Sequence, residues 1–342
     1  MVVKVAVNGY GTIGKRIAYA VTKQSDMKLI GVSKTKPDYI AVQAIKQRIS
    51  LYVPSEDYAK KFEEAGIRVA GTVEDMISEV DIIIDATPAG IGEKYKPLYE
   101  KHNKKAIFQG GEKADIAEVS FSALCNYSQA IGKNYVRVVS CNTTALCRII
   151  CAIREVSPIK KVRGIIVRRG ADPHEYKKGP IEAIVPNPAA FPSHHALDVK
   201  TVIPDVDIVT GAVVVPTTRM HMHILNIELE KKVEREDIVN SLNHTPRILL
   251  IQQNYGFNST ADIIEWARDI LRPRYDIYEV VVWEDSITTD GNEVWLMYGV
   301  HQEAIVVPEN IDAVRAMMEI ELNPLNSISK TDESLGILRR WF

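Results

Sequence analysis

The 342-residue sequence predicts an α/β protein in two parts. Residues 1–139 read as a doubly wound, mostly parallel sheet, and residues 140–303 as an α+β domain with a mostly antiparallel or mixed sheet. A C-terminal helical segment, residues 304–342, is expected to pack on the first part. Three observations carry this reading. Short apolar strands alternate with helix-period segments through the first part, the pattern of a parallel sheet covered on both faces. A glycine pattern joins the first strand to the first helix. Beyond residue 156 the strands lengthen and only two helices interrupt them.

In order, Val2 to Asn8 is an apolar run and Ile13 to Thr22 has helical spacing through Ile17, Ala20 and Val21. Lys28 to Ser33 predicts a second strand. Tyr39 to Ile49 and Asp57 to Ala65 predict helices, the latter stopped by Gly66. Ile67 to Ala70 reads as a short strand, and Thr72-Val73-Glu74-Asp75 resembles a capping box opening a helix through Val80. Asp81 to Ala86, Lys94 to His102 and Ala106 to Gln109 continue as strand, helix and strand. Tyr135 to Val139 is a further strand and Ala145 to Val156 a helix. The second part reads as strands at Val162–Arg169, Ile208–Val215, Met220–Leu229, Glu279–Trp283 and Glu293–His301, with helices near 235–242 and 258–270. A Pro-rich segment from Gly179 to His195 is too long for a tight turn, and such loops are often functional. Ile311 to Leu322 is helical, and a short segment from Glu333 to Phe342 ends the chain.

Apolar content of 46% and charged content of 25% are those of an ordinary soluble protein. The net charge of −2 gives no indication of a large basic field for nucleic acid or a membrane surface and leaves room for a local basic pocket. No stretch is apolar enough over a bilayer's width, and Met1 to Val5 leads straight into a strand pattern without a secretory signal, so a cytoplasmic location is expected. Four cysteines without a Cys-x-x-Cys pair suggest neither a disulfide framework nor zinc. Reduced, buried thiols are the expectation; a Cys125–Cys151 bridge is the alternative, plausible mainly in a hyperthermophile.

Gly9-Tyr10-Gly11-Thr12-Ile13-Gly14 is G-x-G-x-x-G between a strand and a helix, the context in which it marks a Rossmann-type dinucleotide site. Gly9 permits the turn, Gly11 admits the pyrophosphate, and Gly14 lets helix and strand pack. Thr12 and Ile13 offer N–H groups at the helix start. The second strand leads into Ser33-Lys34-Thr35-Lys36, without the carboxylate that usually binds the ribose of NAD. Lys34, with hydroxyls beside it, predicts that NADP is accepted and preferred over NAD. The turns after two later strands, carrying Thr87 and Gly111, are expected to face the cofactor.

Ser140-Cys141-Asn142-Thr143-Thr144 places one thiol between a strand and the start of a helix. Unpaired N–H groups and a partial positive charge there favour thiolate, and the same groups suit an oxyanion. Ser140, Asn142 and Thr143 flank the thiol and are candidates for substrate contact. His194 and His195, closing the Pro-rich loop, are further candidates. His221 and His223 share one face of a strand.

The glycine fingerprint and the Ser-Cys-Asn-Thr-Thr run together resemble the phosphorylating glyceraldehyde-3-phosphate dehydrogenases over essentially the whole chain. Pro216-Thr217-Thr218-Arg219-Met220-His221-Met222-His223 makes the archaeal branch the better match. The resemblance implies oxidation of a triose phosphate with inorganic phosphate and NAD(P), in a homotetramer, through a thioester on Cys141. It implies His221 as the base, since the strand after the cysteine's helix holds Arg168 and Arg169 where the better-known branch has its histidine; the nearest histidine, His174, is in a polar loop. Arg168 and Arg169 are placed near the catalytic face, Arg168 for a phosphate and Arg169 for a phosphate or the cofactor, with Thr143, Thr144, Thr217 and Arg219 as further phosphate candidates and Gln302 as a nicotinamide contact. Aspartate-semialdehyde dehydrogenase and N-acetylglutamyl-phosphate reductase share the plan but differ in the cysteine motif. A non-catalytic NADP-binding regulator is the alternative of another class.

Overall fold

The computed structural model describes residues 2–171, 179 and 182–342; His174 and Pro180 lie outside them. Two compact units divide the chain: Met1–Ser140 with Val307–Leu335, and Cys141–Val306 with Gly336–Phe342. The final seven residues thus group with the second unit, apart from the rest of the C-terminal segment.

The first unit holds an eight-stranded sheet, all of whose pairings are parallel. Its strands are β1 (Val3–Asn8), β2 (Met27–Ser33), β3 (Leu51–Val53), β4 (Gly71–Thr72), β5 (Ile82–Asp85), β6 (Lys105–Gln109), β7 (Val119–Phe121) and β8 (Tyr135–Val138). Their order is β4-β3-β2-β1-β5-β6-β8-β7. Chain direction across the sheet reverses between β1 and β5, the switch point at which doubly wound sheets bind ligands. β1 and β5 are buried on both faces, which explains their nearly unbroken apolar runs. Thr72 opens the helix Val73–Ser78 as a capping box: its N–H donates to Asp75 (2.7 Å) and the Asp75 N–H donates back to its hydroxyl (3.3 Å). The strand expected at Ile67–Ala70 forms instead at Gly71–Thr72, directly before that cap.

The second unit is built on a mixed sheet of eight strands: β9 (Ile159–Arg169), β10 (Val185–Pro186), β11 (Ile208–Val215), β12 (His221–Leu229), β13 (Ile248–Ile251), β14 (Val280–Trp283), β15 (Thr288–Asp290) and β16 (Glu293–Val300). β9 lies between β11, which runs parallel to it, and β12, which runs antiparallel. β12 alternates buried and part-exposed residues, so His221, His223, Leu225 and Ile227 share the covered face. The helix Cys141–Arg154 is buried along most of its length. Cys141 and Cys147 form no disulfide, whereas Cys125 and Cys151 are each disulfide-bonded, against the expectation of reduced cysteines.

Candidate active site

In the first unit the glycine loop is shaped by what surrounds it. Gly9 has φ +103°, and a Cβ there would lie 2.7 Å from the Ala86 carbonyl carbon, at the turn after β5. A Cβ on Gly14 would lie 1.8 Å from the Gly9 oxygen, so turn and helix meet only without one. A Cβ on Gly11 would meet nothing within 4 Å. The tight sites are thus structural, while Gly11 leaves bare backbone beside open space, as close approach of a pyrophosphate requires. The residues present fit a dinucleotide.

Beneath this loop the strand ends are tied by buried polar groups. The Ser33 hydroxyl donates to Asn8 Oδ1 (2.5 Å) and accepts from the Gly9 N–H (2.8 Å). Asn8 donates to the Tyr99 hydroxyl (2.7 Å), and Tyr99 donates to Asp85 (2.6 Å). Asp85 also accepts from the Thr87 N–H (3.0 Å) and hydroxyl. Ser33 therefore braces the turn and is not free for a cofactor phosphate, contrary to the expectation of a hydroxyl beside Lys34. Thr87 likewise anchors its turn through Asp85. Gly111 sits where an added Cβ would press on the Ala89 side chain at 3.3 Å.

In the second unit Cys141 is the first residue of its helix, and its Sγ lies 3.6 Å from His221 Nε2. The Arg168 and Arg169 charges and the Asn142 N–H pull the thiol's pKa down, but burial dominates and pushes it up to about 11, with Glu303 adding to the rise. The resting sulfur is thus a thiol at neutral pH. Desolvation of the anion thus works against the thiolate expected from the helix terminus, while the terminus and two guanidinium groups beside the half-buried residue work for it.

His221 is 1% exposed. Burial first, then the proximity of His223 and the charges of Arg169 and Arg168, hold its pKa well below the ordinary value, so the ring is neutral. The Arg169 backbone N–H donates to His221 Nδ1 at 3.0 Å. Nδ1 is therefore the bare nitrogen, and the single proton of the neutral ring resides on Nε2, facing the sulfur. In this arrangement His221 is a hydrogen-bond donor.

Arg169 is displaced from the cofactor-contact role. Its side chain is 1% exposed and ion-paired to Glu303 (2.8 Å), donates to the Thr218 carbonyl (2.9 Å) and to Gln302 Oε1. Glu303 was not anticipated; a carboxylate following Gln302 at the end of β16 was the available signal. Arg168 differs: it donates to Asn187, and its Nε is buried without a hydrogen-bond partner among the described residues. An unpaired buried guanidinium N–H calls for an anion.

Three expected substrate contacts are internal. Thr143 is fully buried and donates to Asp198 (2.6 Å), and Thr144 is also fully buried. The Asn142 side chain is consumed by two histidines: its Oδ1 accepts from His223 Nε2 (2.9 Å) and its Nδ2 donates to His195 Nε2 (3.2 Å). These contacts fix both rings. His223 Nδ1 must accept from the Tyr298 hydroxyl (2.9 Å), and His195 Nδ1 must donate to the Ser193 hydroxyl (3.0 Å), which reaches Thr210 (2.7 Å). The Asn142 amide donating to Nε2 requires a neutral His195 ring, and burial keeps His223 neutral. His194, its ring tilted 34° against His195 at 3.9 Å between centroids, stays exposed. Ser140 ends the first unit and is half-buried.

This network predicts acid sensitivity. Burial, then His194, Arg168 and His223, push His195 down to about 2, and burial alone pushes His223 down to about 3. Unfolded, each titrates near 6.5, so below that pH the unfolded chain binds the extra protons. Stability is full above pH 6.5 and falls as the pH drops toward 3, by up to about 1.4 kcal/mol per pH unit for each ring. The Tm should decline from pH 6.5 to 4.5, and less steeply in His195→Asn; equal slopes would contradict this.

A family model described as glyceraldehyde 3-phosphate dehydrogenase, C-terminal domain, matches residues 140–286, and one described as dihydrodipicolinate reductase, N-terminus, matches residues 3–123. The chain is 60% identical over 337 residues to a glyceraldehyde-3-phosphate dehydrogenase of Hyperthermus butylicus, with 98% of each chain covered. It is 59% identical over 338 residues to that of Sulfurisphaera tokodaii, and 57% identical over 337 residues to that of Saccharolobus islandicus, again with 98% of each covered.

Proposed function

The chain belongs to the glyceraldehyde-3-phosphate dehydrogenase family, an NAD(P)-using oxidoreductase family, and on that premise we propose that Cys141 is its nucleophile and His221 the donor that serves the oxygen of the attacked carbonyl. The observation that carries this is the 3.6 Å approach of Cys141 Sγ to His221 Nε2, with Nδ1 occupied by the Arg169 amide.

The thiol loses its proton to solvent, and the small thiolate fraction attacks the aldehyde carbon of glyceraldehyde 3-phosphate. The C–S bond forms as the carbonyl π pair moves to oxygen, giving an alkoxide that accepts the His221 Nε2 hydrogen bond. Bound NAD(P) supplies the hydride acceptor. As hydride leaves the carbon, the alkoxide pair re-forms the carbonyl and a thioester remains on Cys141. Inorganic phosphate attacks that carbonyl, and the sulfur departs as thiolate, releasing 1,3-bisphosphoglycerate. The base role that the resemblance implies for His221 needs a bare Nε2, which the Arg169 amide at Nδ1 opposes.

Gly9, Gly11, Thr12, Ile13 and Gly14 would hold the pyrophosphate, and Lys34 the 2′-phosphate of NADP, which the protein prefers over NAD on this reading. Thr87 and Gly111 would flank the cofactor, and Gln302 would meet the nicotinamide amide. Arg168, with its spare N–H, and exposed His194 are assigned to phosphate groups, with Thr217 and Arg219 beside them; Ser140 is kept as a substrate contact. Among the described residues no helix is long and apolar enough to cross a membrane, and a cytoplasmic enzyme is inferred. Exposed Ile165, Trp295 and Met297 on the open face of the mixed sheet support the homotetramer implied by the resemblance; sedimentation at the mass of one chain would contradict it. The reading as a whole is tested by cofactor reduction with glyceraldehyde 3-phosphate. The rate should depend on phosphate or arsenate, and activity with aspartate semialdehyde in place of the triose phosphate would overturn it.

A further inference from the structure

The end of β2 carries a second charged group that the glycine pattern does not announce. Ser33, the last residue of β2, touches the Gly9 turn through its hydroxyl, and Lys34 follows directly. Lys34 Nζ lies 2.9 Å from Asp38 Oδ2, and the Lys34 side chain is only 11% exposed. The other carboxylate oxygen of Asp38 accepts from the Ile40 (3.0 Å) and Ala41 (3.2 Å) N–H groups, capping the helix Tyr39–Lys46. One oxygen is thus fixed on the helix and the other on the ammonium. Lys36, the remaining nearby charge, is exposed.

Resting on the assignment of Lys34 to the cofactor ribose, we propose that Asp38 is a specificity-determining residue that keeps NAD in use at a site built for NADP. Its Oδ2 accepts the 2′-hydroxyl of NAD, the function a strand-end carboxylate serves in NAD sites. For NADP the same oxygen restrains binding. A 2′-phosphate carries close to two negative charges, and it must share the Lys34 ammonium with a carboxylate already bonded to it. Burial raises the Asp38 pKa, but Lys34 and the two N–H groups outweigh burial and hold it below its ordinary value, so it remains charged at neutral pH. Lys34 and Asp38 together therefore form a divided recognition element: the ammonium favours one cofactor and the carboxylate the other.

The test is equilibrium binding of NADP and of NAD, by calorimetry on the full chain without substrate. Asn caps a helix about as well as Asp, so Asp38→Asn removes the charge and keeps the cap; Asp38→Ser serves as a second neutral cap. Both should tighten NADP, weaken NAD and move the ratio of the two Kd values about tenfold toward NADP, the effect of one unit of pK in relative affinity. Lys34→Ala should move the ratio toward NAD. If the Asp38 variants leave the ratio unchanged or shift it toward NAD while Lys34→Ala still moves it, the role of Asp38 is overturned and the Lys34 assignment stands. If no variant moves it, both fall.

Discussion

Cys141→Ser is expected to lower kcat by at least about 10³-fold while leaving the Kd for NADP unchanged. A serine hydroxyl is a far weaker nucleophile than even a high-pKa thiol, and an oxygen ester stores less of the oxidation energy for transfer to phosphate. Binding is spared because the substitution leaves the glycine loop, Lys34 and Gln302, which are assigned to the cofactor, untouched. The wild-type pH profile belongs to the same expectation. With the thiol near pKa 11, the reactive anion is about one part in 10⁴ at pH 7, from the difference of four units. Its fraction grows tenfold per pH unit up to the pKa, because the anion of a raised acid appears only at higher pH. Single-turnover reduction of NADP, and alkylation of Cys141 in the free protein, should both rise with that slope through pH 7–9. Plateaus below pH 8 would show a thiolate already formed.

The second large effect distinguishes donor from acceptor at His221. His221→Ala should lower kcat by about 10²- to 10³-fold, the loss seen when one oxyanion donor is removed. His221→Gln should retain most of the activity, within about tenfold of wild type, because an amide N–H can donate to the alkoxide. A glutamine cannot act as a base. If the proton moved onto this ring, Gln and Ala would fail alike, by the 10²- to 10⁴-fold of lost general-base catalysis. Cofactor affinity is the control in both variants. Nitrogen-15 shifts of the His221 ring report the tautomer independently of turnover, and a protonated Nδ1 would contradict the hydrogen bond from the Arg169 amide.

Features local in sequence were legible. The glycine turn, the cysteine at a helix start and the Thr72 capping box each depend on neighbours within a few residues, and each sits where expected. The two-sided burial of β1 and β5 was likewise written in their apolar runs. What escaped were quantities set by tertiary packing. Desolvation at Cys141 opposes the expected thiolate, and no residue spacing encodes desolvation. Asn142 and Thr143 looked like substrate contacts because they flank the thiol, and His195 because it closes the Pro-rich loop, yet all three bond internally to residues from distant parts of the chain: Asn142 to His195 and His223, which reaches Tyr298, and Thr143 to Asp198. Lys34 was legible as a cation at the strand end, but the ion pair to its i+4 partner Asp38 was not. β3 and β13 were missed because three or four apolar residues do not distinguish a strand from a helix segment.

The central claim is that a carbon–sulfur bond forms at Cys141 during turnover. Mixing the protein with glyceraldehyde 3-phosphate and NADP in the absence of phosphate, quenching in acid and mapping peptides by mass spectrometry tests it directly. A 3-phosphoglyceryl thioester is expected on the peptide carrying Cys141, discharged when phosphate is added before the quench. Reduction of NADP by a protein that carries no adduct on that cysteine, or carries it elsewhere, would contradict the account.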